Sequence, residues 1–195
     1  MRNVALLVIS RFPVLMAAAA AASGAAVQMY DLDGRALSFF QPSGKISLLF
    51  FISSDCPISN SYAPEIQRIC ESYGPRGVAC SLLYEDADAD TATVRKHLED
   101  YRLHNIPAVI DSRRIAAKRA NAAVTPEAVL LDRKAEIRYR GRIDNFYASL
   151  GKPRQQVTVH DLRDALDAFL AGKPVPTPHT QALGCYIVDP EILRK

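Results

Sequence analysis

The densest apolar block in the chain is Ile46-Ser47-Leu48-Leu49-Phe50-Phe51-Ile52. It runs almost without polar alternation, which predicts a strand covered on both faces rather than one half open to water. Gly77 to Tyr84 predicts a second buried strand. Between them, Ile58, Tyr62, Ile66, Ile69, Cys70 and Tyr73 recur at helical spacing. That predicts a helix opening after Cys56, carrying Pro64 inside it and ended by Gly74-Pro75. Upstream, Met29 to Leu37 reads as two short strands around an Asp33-Gly34 turn, because glycine accepts positive φ. Downstream, an acidic loop (85–90) leads to a helix over 91–101 whose apolar residues are few, and then to a short strand over 107–111. A short helix follows over 115–122, then strands over 127–131 and 136–139 joined by a turn at 132–135. His160 to Ala171 is an amphipathic helix carrying Leu162, Leu166, Phe169 and Leu170, stopped by Gly172-Lys173-Pro174. This order predicts an α/β domain: a mixed sheet with a parallel pair and an antiparallel hairpin, flanked by helices on both faces.

The ends of the chain read differently. Arg2, an apolar stretch to Ala22 and the small residues Ser23 to Ala26 have the form of a secretory signal peptide, with cleavage expected between Ala22 and Ala26. Arg11 and Pro13 interrupt the stretch, which argues against a lasting membrane span. The expected organisation is a signal peptide (1–26), one domain (27–172) and an extended, proline-rich tail (173–195) that carries Cys185. An exported, periplasmic or otherwise extracytoplasmic protein is expected. Removing 1–26 leaves 22 basic residues against 21 acidic, a near-neutral balance that offers no footprint for nucleic acid.

The four cysteines, Cys56, Cys70, Cys80 and Cys185, have spacings unlike a zinc finger or ribbon, and three full pairings are open to them. No cofactor is implied. Cys70 falls on the apolar face of a helix and Cys80 inside a strand, so core packing is expected for each. Cys56 lies in Ser53-Ser54-Asp55-Cys56-Pro57-Ile58-Ser59-Asn60, at the exit of a buried strand and the start of a helix. There, unsatisfied N–H groups and the helix dipole favour thiolate over thiol. The hydroxyls of Ser53 and Ser59 are placed to add hydrogen bonds, while Asp55 opposes ionisation.

This corner resembles the active site of the thioredoxin superfamily, where a strand delivers a cysteine to a helix N-terminus. Pro64 stands where thioredoxins carry a proline in that helix. Val124-Thr125-Pro126-Glu127 is similar to the cis-proline loop that faces the cysteine. More narrowly, Asp55 to Ile66, Thr125-Pro126-Glu127-Ala128, Gly141-Arg142-Ile143-Asp144 and Gly184-Cys185 resemble bacterial exported redoxin-domain proteins, over residues 28 to 188. The resemblance implies a thioredoxin-like fold and thiol–disulfide oxidoreductase chemistry with Cys56 as nucleophile. It also implies a cis bond before Pro126, and Thr125 backbone groups that align the partner's chain. Implied partners are protein thiols and disulfides, or peroxide plus a thiol reductant.

A thioredoxin has a second cysteine where Ser59 stands, so Cys56 needs a distant partner or none. Cys185 is the candidate resolving residue; an unpaired tail thiol, or a bond to Cys70 or Cys80, is the alternative. Peroxiredoxins, a second comparison, share a hydroxyl at the place of Ser53 and a proline at Pro57, and need an arginine, for which Arg142 and Arg113 are candidates. Arg142 otherwise closes a turn paired with Asp144. A copper carrier is the non-enzymatic alternative, with Cys56, Cys185 and His160 or His179 as ligands. His97 and His104 are expected to be packed or solvated.

Overall fold

A computed structural model describes residues 27–188. The expected signal segment (1–26) and the last residues of the tail lie outside them. The elements follow the order β1 (Val27–Tyr30), β2 (Ala36–Phe39), β3 (Ile46–Ile52), α1 (Pro57–Tyr73), a 3₁₀ turn (Gly74–Arg76), β4 (Val78–Tyr84), α2 (Thr91–Asp100), β5 (Ala108–Ile110) and α3 (Ile115–Ala120). They continue with β6 (Val124–Thr125), β7 (Glu127–Leu131), β8 (Ile137–Gly141), β9 (Tyr147–Ser149), β10 (Lys152–Pro153), α4 (Asp161–Leu170) and β11 (Cys185–Tyr186). The main sheet has five strands in the order β5-β4-β3-β7-β8. β3 pairs parallel with β4 and antiparallel with β7, so the densest apolar run is the central strand.

Alternation along the central strands divides the core. Leu48, Phe50 and Ile52 join Leu82 and Tyr84 on one face, packed against α1, α2 and α4. Leu49, Phe51, Leu83 and Val129 face the other side, against the alanines of α3, Phe39 at the end of β2 and Phe40 just after it. A strand buried on both faces needs apolar residues at both parities, which is what β3 supplies. The fold is α/β and thioredoxin-like, with helices on both faces of a mixed sheet. The short β9–β10 hairpin was not expected from the pattern.

One expectation is corrected. Cys70 and Cys80 are not simply packed: they form a disulfide that ties α1 to β4. The expected extended tail is, over its described residues, docked on the domain. Arg140 N–H donates to Pro178 O (2.9 Å), Thr180 N–H to Arg140 O (3.1 Å) and Ile187 N–H to Ala123 O (3.0 Å). The Thr180 and Tyr139 hydroxyls share a hydrogen bond of 2.7 Å. Gly141, at φ +153°, makes this approach possible, because a Cβ there would overlap Thr180. Residues 178–188 therefore form a strap across the domain.

The Cys70–Cys80 bond closes a loop with a separation of 10 residues. Urea unfolding of the Cys70→Ala/Cys80→Ala double variant should show a loss of about 2–3 kcal/mol relative to the parent chain. Equal unfolding free energies would show that the bond adds nothing to stability.

Candidate active site

The nucleophile's position follows from the junction of β3 and α1. Pro57 occupies the first turn of α1, where its missing N–H costs nothing. Cys56 is the N-cap, with extended φ −85° and ψ 110°, and no acidic residue lies in the first turn. Its sulfur therefore stands at the positive end of the helix, within reach of the Ser59 N–H. The loop before it is held by Asp86, which accepts from the Ser53 hydroxyl (2.7 Å), the Ser54 N–H (3.1 Å) and the Ser54 hydroxyl (3.1 Å).

The serine expectations are corrected by this clamp. The Ser53 hydroxyl is turned to Asp86, not to the thiol. The Ser59 hydroxyl accepts from the Ser53 N–H (3.4 Å), and only the Ser59 backbone serves Cys56. Asn60 braces the corner from behind. Its amide donates to Ser54 O (2.9 Å), and its carbonyl oxygen meets His97 Nε2 (2.9 Å), whose Nδ1 pairs with the Tyr84 hydroxyl (2.8 Å). His97 is thus buried and packed, and burial lowers its pKa. The sequence offers no sign of the roles of Asp86, Asn60 and Tyr84, because each has a partner distant in the chain.

The opposite wall is the Thr125–Pro126 bond, which is cis. The Cys56 thiol donates to Thr125 O at 3.1 Å. Thr125 is buried, and its hydroxyl has no hydrogen-bond partner yet lies near enough to the Cys56 sulfur to lower its pKa. The third wall comes from the strap. β11 pairs antiparallel with β6, with Cys185 opposite Thr125. Cys56 is buried and Cys185 lies at the surface, both as free cysteines. Thiol and backbone N–H of Cys185 both act on Cys56.

These contacts set the two thiols apart. Burial pushes the Cys56 pKa up, but the Cys185 thiol, the Ser59 N–H, the Thr125 hydroxyl and the Cys185 N–H outweigh it and hold the value below that of an ordinary thiol. Cys185 moves the other way. Burial, then the hydrogen bond it gives to Cys56 and the charge there, push it up to about 11. Of the two, Cys56 is the thiol that ionises first.

The arginine expectations fail. Arg142 does not pair with Asp144, and its guanidinium is not free to hold an anion. It forms a fork with Asp161, at 2.7 Å from Nε and 3.2 Å from Nη2. Asp144 instead accepts from the Tyr62 hydroxyl (2.7 Å) and the Phe146 N–H (2.8 Å). Arg113 is exposed. The copper arrangement is not assembled either: among the described residues no group of three His, Cys, Asp or Glu could hold a metal ion, so neither His160 nor His179 joins the two sulfurs. Among the described residues no helix is long and apolar enough to cross a membrane.

Behind the Asp86 clamp lies a buried acid. Glu85 carboxylate oxygens lack a hydrogen-bond partner, and Arg114 Nε stands 3.6 Å away. Burial first, then the charge of Asp111, push its pKa up to about 9 against the pull of Arg114. The Arg114 Nε also donates to Val188 O of the strap (3.3 Å).

Two outcomes follow from these shifts. The pH midpoint for alkylation of Cys56 by iodoacetamide should rise toward 9.0 in Thr125→Val and stay near the parent value in Thr125→Ser. One lost donor removes one of the causes that hold the value down; an unmoved midpoint in Thr125→Val would remove the hydroxyl from the site. For Glu85, the folded value lies above the unfolded value of 4.5, so its contribution to stability is present below 4.5 and lost as pH rises toward 9. The advantage of Glu85→Gln over the parent in unfolding free energy should therefore grow across that window. A constant difference would show that the acid does not titrate there.

A crystal structure of an uncharacterized conserved protein from Geobacillus kaustophilus superposes with TM-score 0.71 at 26% identity, covering 84% of this chain and 88% of that one. A hypothetical protein from Sinorhizobium meliloti 1021 gives TM-score 0.71 at 29% identity, covering 84% and 90%. A secreted Mycobacterium tuberculosis disulfide oxidoreductase homologous to E. coli DsbE shares the fold, with TM-score 0.54 at 17% identity over 73% of this chain and 95% of that one. No curated protein matches the sequence. The family model for AhpC/TSA matches residues 19–140, more than half of the chain, and takes in the β3–α1 corner and the cis-proline loop: the chain belongs to the AhpC/TSA family.

Proposed function

We propose that this protein is an exported thiol–disulfide oxidoreductase in which Cys56 is the nucleophile and Cys185 the resolving residue. The observation that carries the reading is the placement of Cys185 beside Cys56 on a strand paired to β6. The Cys56 thiolate attacks one sulfur of a partner disulfide. That S–S bond breaks, a mixed disulfide forms, and the other partner sulfur leaves as thiolate and takes a proton from solvent. Cys185 then loses its proton to solvent and attacks the Cys56 sulfur. The mixed disulfide breaks, the second partner sulfur leaves, and Cys56–Cys185 is the new disulfide. The partner gains two electrons and the cysteine pair loses two; the reverse sequence oxidises a dithiol.

Disulfide chemistry is favoured over peroxide chemistry because the Ser53 hydroxyl and the Arg142 guanidinium are both committed to carboxylates. Export is supported by the signal-like pattern of residues 1–26 and by the Cys70–Cys80 bond, which suits an oxidising compartment.

Thiol trapping with mass analysis across a glutathione redox series tests the cycle. The parent chain should pass reversibly between free thiols and a Cys56–Cys185 disulfide, leaving Cys70–Cys80 joined. Cys185→Ser should accumulate a mixed disulfide on Cys56, and Cys56→Ser should form none on Cys185 at comparable potential. A Cys56 that stays reduced throughout overturns the reading.

A further inference from the structure

β6 is two residues long, and its partner in the sheet is β11 of the strap. With the strap seated, Cys56 is only 1% exposed. An external disulfide and the strap therefore compete for the same space in front of the nucleophile. The strap is held there by hydrogen bonds and packing, not by a covalent bond, so it can leave and return.

We propose that the seat of the strap is also the docking site of the partner, and that the strap is a template for it. The occupant is an extended peptide segment whose disulfide-bonded cysteine takes the place of Cys185, with glycine just before that cysteine and an apolar residue before the glycine. This rests on the proposed function and names the substrate class of the same site.

Three features of the seat define the occupant. Strand pairing with Val124 and Thr125 requires an extended backbone, with the cysteine opposite Thr125. The position before the cysteine has no room for a side chain, because a Cβ on Gly184 would overlap the carbonyl of Thr125. That carbonyl cannot withdraw without disturbing its contact with the Cys56 thiol. Leu183 lines a small cleft with Tyr62, Pro126, Ile143 and Tyr147, whose charged members, Arg142 and Asp144, are already paired with Asp161 and the Tyr62 hydroxyl, so the place asks for an apolar side chain. On the other side of the cysteine, Ile187 packs against the core cluster that holds Val129 and Leu131. A partner with a bulky residue before its cysteine meets the same carbonyl and is rejected by a clash rather than by a missing contact.

The order of events follows. The strap leaves β6, the partner segment pairs there, and the Cys56 thiolate attacks its cysteine sulfur, expelling the sulfur bonded to it. The partner segment then peels from β6 while still joined to Cys56. The returning strap brings Cys185 against the mixed disulfide, releasing the partner cysteine as thiolate and closing Cys56–Cys185.

The test uses the full chain as Cys185→Ser, in which reaction stops at the mixed disulfide, and the same chain with Gly184→Val added, in which the strap cannot seat. The probes are acetyl-Leu-Gly-Cys-Tyr-Ile-amide with thionitrobenzoate on its cysteine, the matching peptide with Val for Gly, and the symmetric aryl disulfide of thionitrobenzoate. Release of the coloured thiolate gives the rate. The Gly peptide should react about tenfold faster with the Gly184→Val chain than with the strapped chain, and there about tenfold faster than the Val peptide. Equal rates for the two peptides, or no effect of releasing the strap, overturn the template while the aryl disulfide still reports a working Cys56. Failure of every probe to react with either chain overturns the nucleophile itself, and the template with it.

Discussion

The carbonyl of Thr125 is the point on which this site converges. It accepts from the Cys56 thiol, it belongs to the residue paired with Cys185, and it fills the space that a side chain at position 184 would need. Moving it would loosen the nucleophile, shift the strap and open the groove together. Its position is fixed from both sides. β7, which follows at once, is paired with β3 and β8 in the middle of the main sheet, and Glu127 turns back to accept from the Ala123 N–H at 2.8 Å. The chemistry thus inherits its accuracy from the core, because a short crowded loop springs from the best-buried strands.

The electrostatic contrast between the two sulfurs depends on the same geometry. A thiol buried among carbon atoms resists ionisation. Cys56 escapes that fate because donors reach it from three sides: the Cys185 thiol and N–H on the strap, the Ser59 N–H at the helix start and the Thr125 hydroxyl on β6. Cys185 supplies donors and so cannot share the charge. A site with two equivalent thiols would have no preferred direction of first attack; here the order of events is written in who donates to whom.

Much of this was legible in the sequence wherever the signal is local. The apolar continuity of β3 marked it as central and helical spacing gave α1, whereas the cis bond before Pro126 came only from the resemblance to the thioredoxin superfamily, since a Thr-Pro step by itself reads as an ordinary strand start. The hydroxyls of Ser53 and Ser59 misled because their nearest chemistry in sequence is Cys56, whereas Asp86, more than thirty residues from Ser53, claims the Ser53 hydroxyl, and the Ser59 hydroxyl is taken up by the Ser53 N–H. Arg142 misled in the same way: Asp144 is close in the chain, but Asp161 at the start of α4 is close in space. The tail was the hardest case. An extended proline-rich segment has no periodicity, and its seat is set by partners across the fold and by the lack of a Cβ on two glycines, Gly141 and Gly184, that stand far apart in sequence. The Cys70–Cys80 bond was hidden by its own burial, since a half-cystine in a core looks like a small apolar residue.

That bond has a mechanical side. It fastens the C-terminal half of α1 to β4, while the Asp86 clamp fastens the loop at the other end to the segment following that same strand. The helix that carries the nucleophile is therefore pinned at head and foot to one strand, like a beam on two bearings. Whatever movement the exchange of partners demands, the beam does not provide it. The freedom is left to the strap, and the reactive sulfur stays registered against the sheet while its visitors come and go.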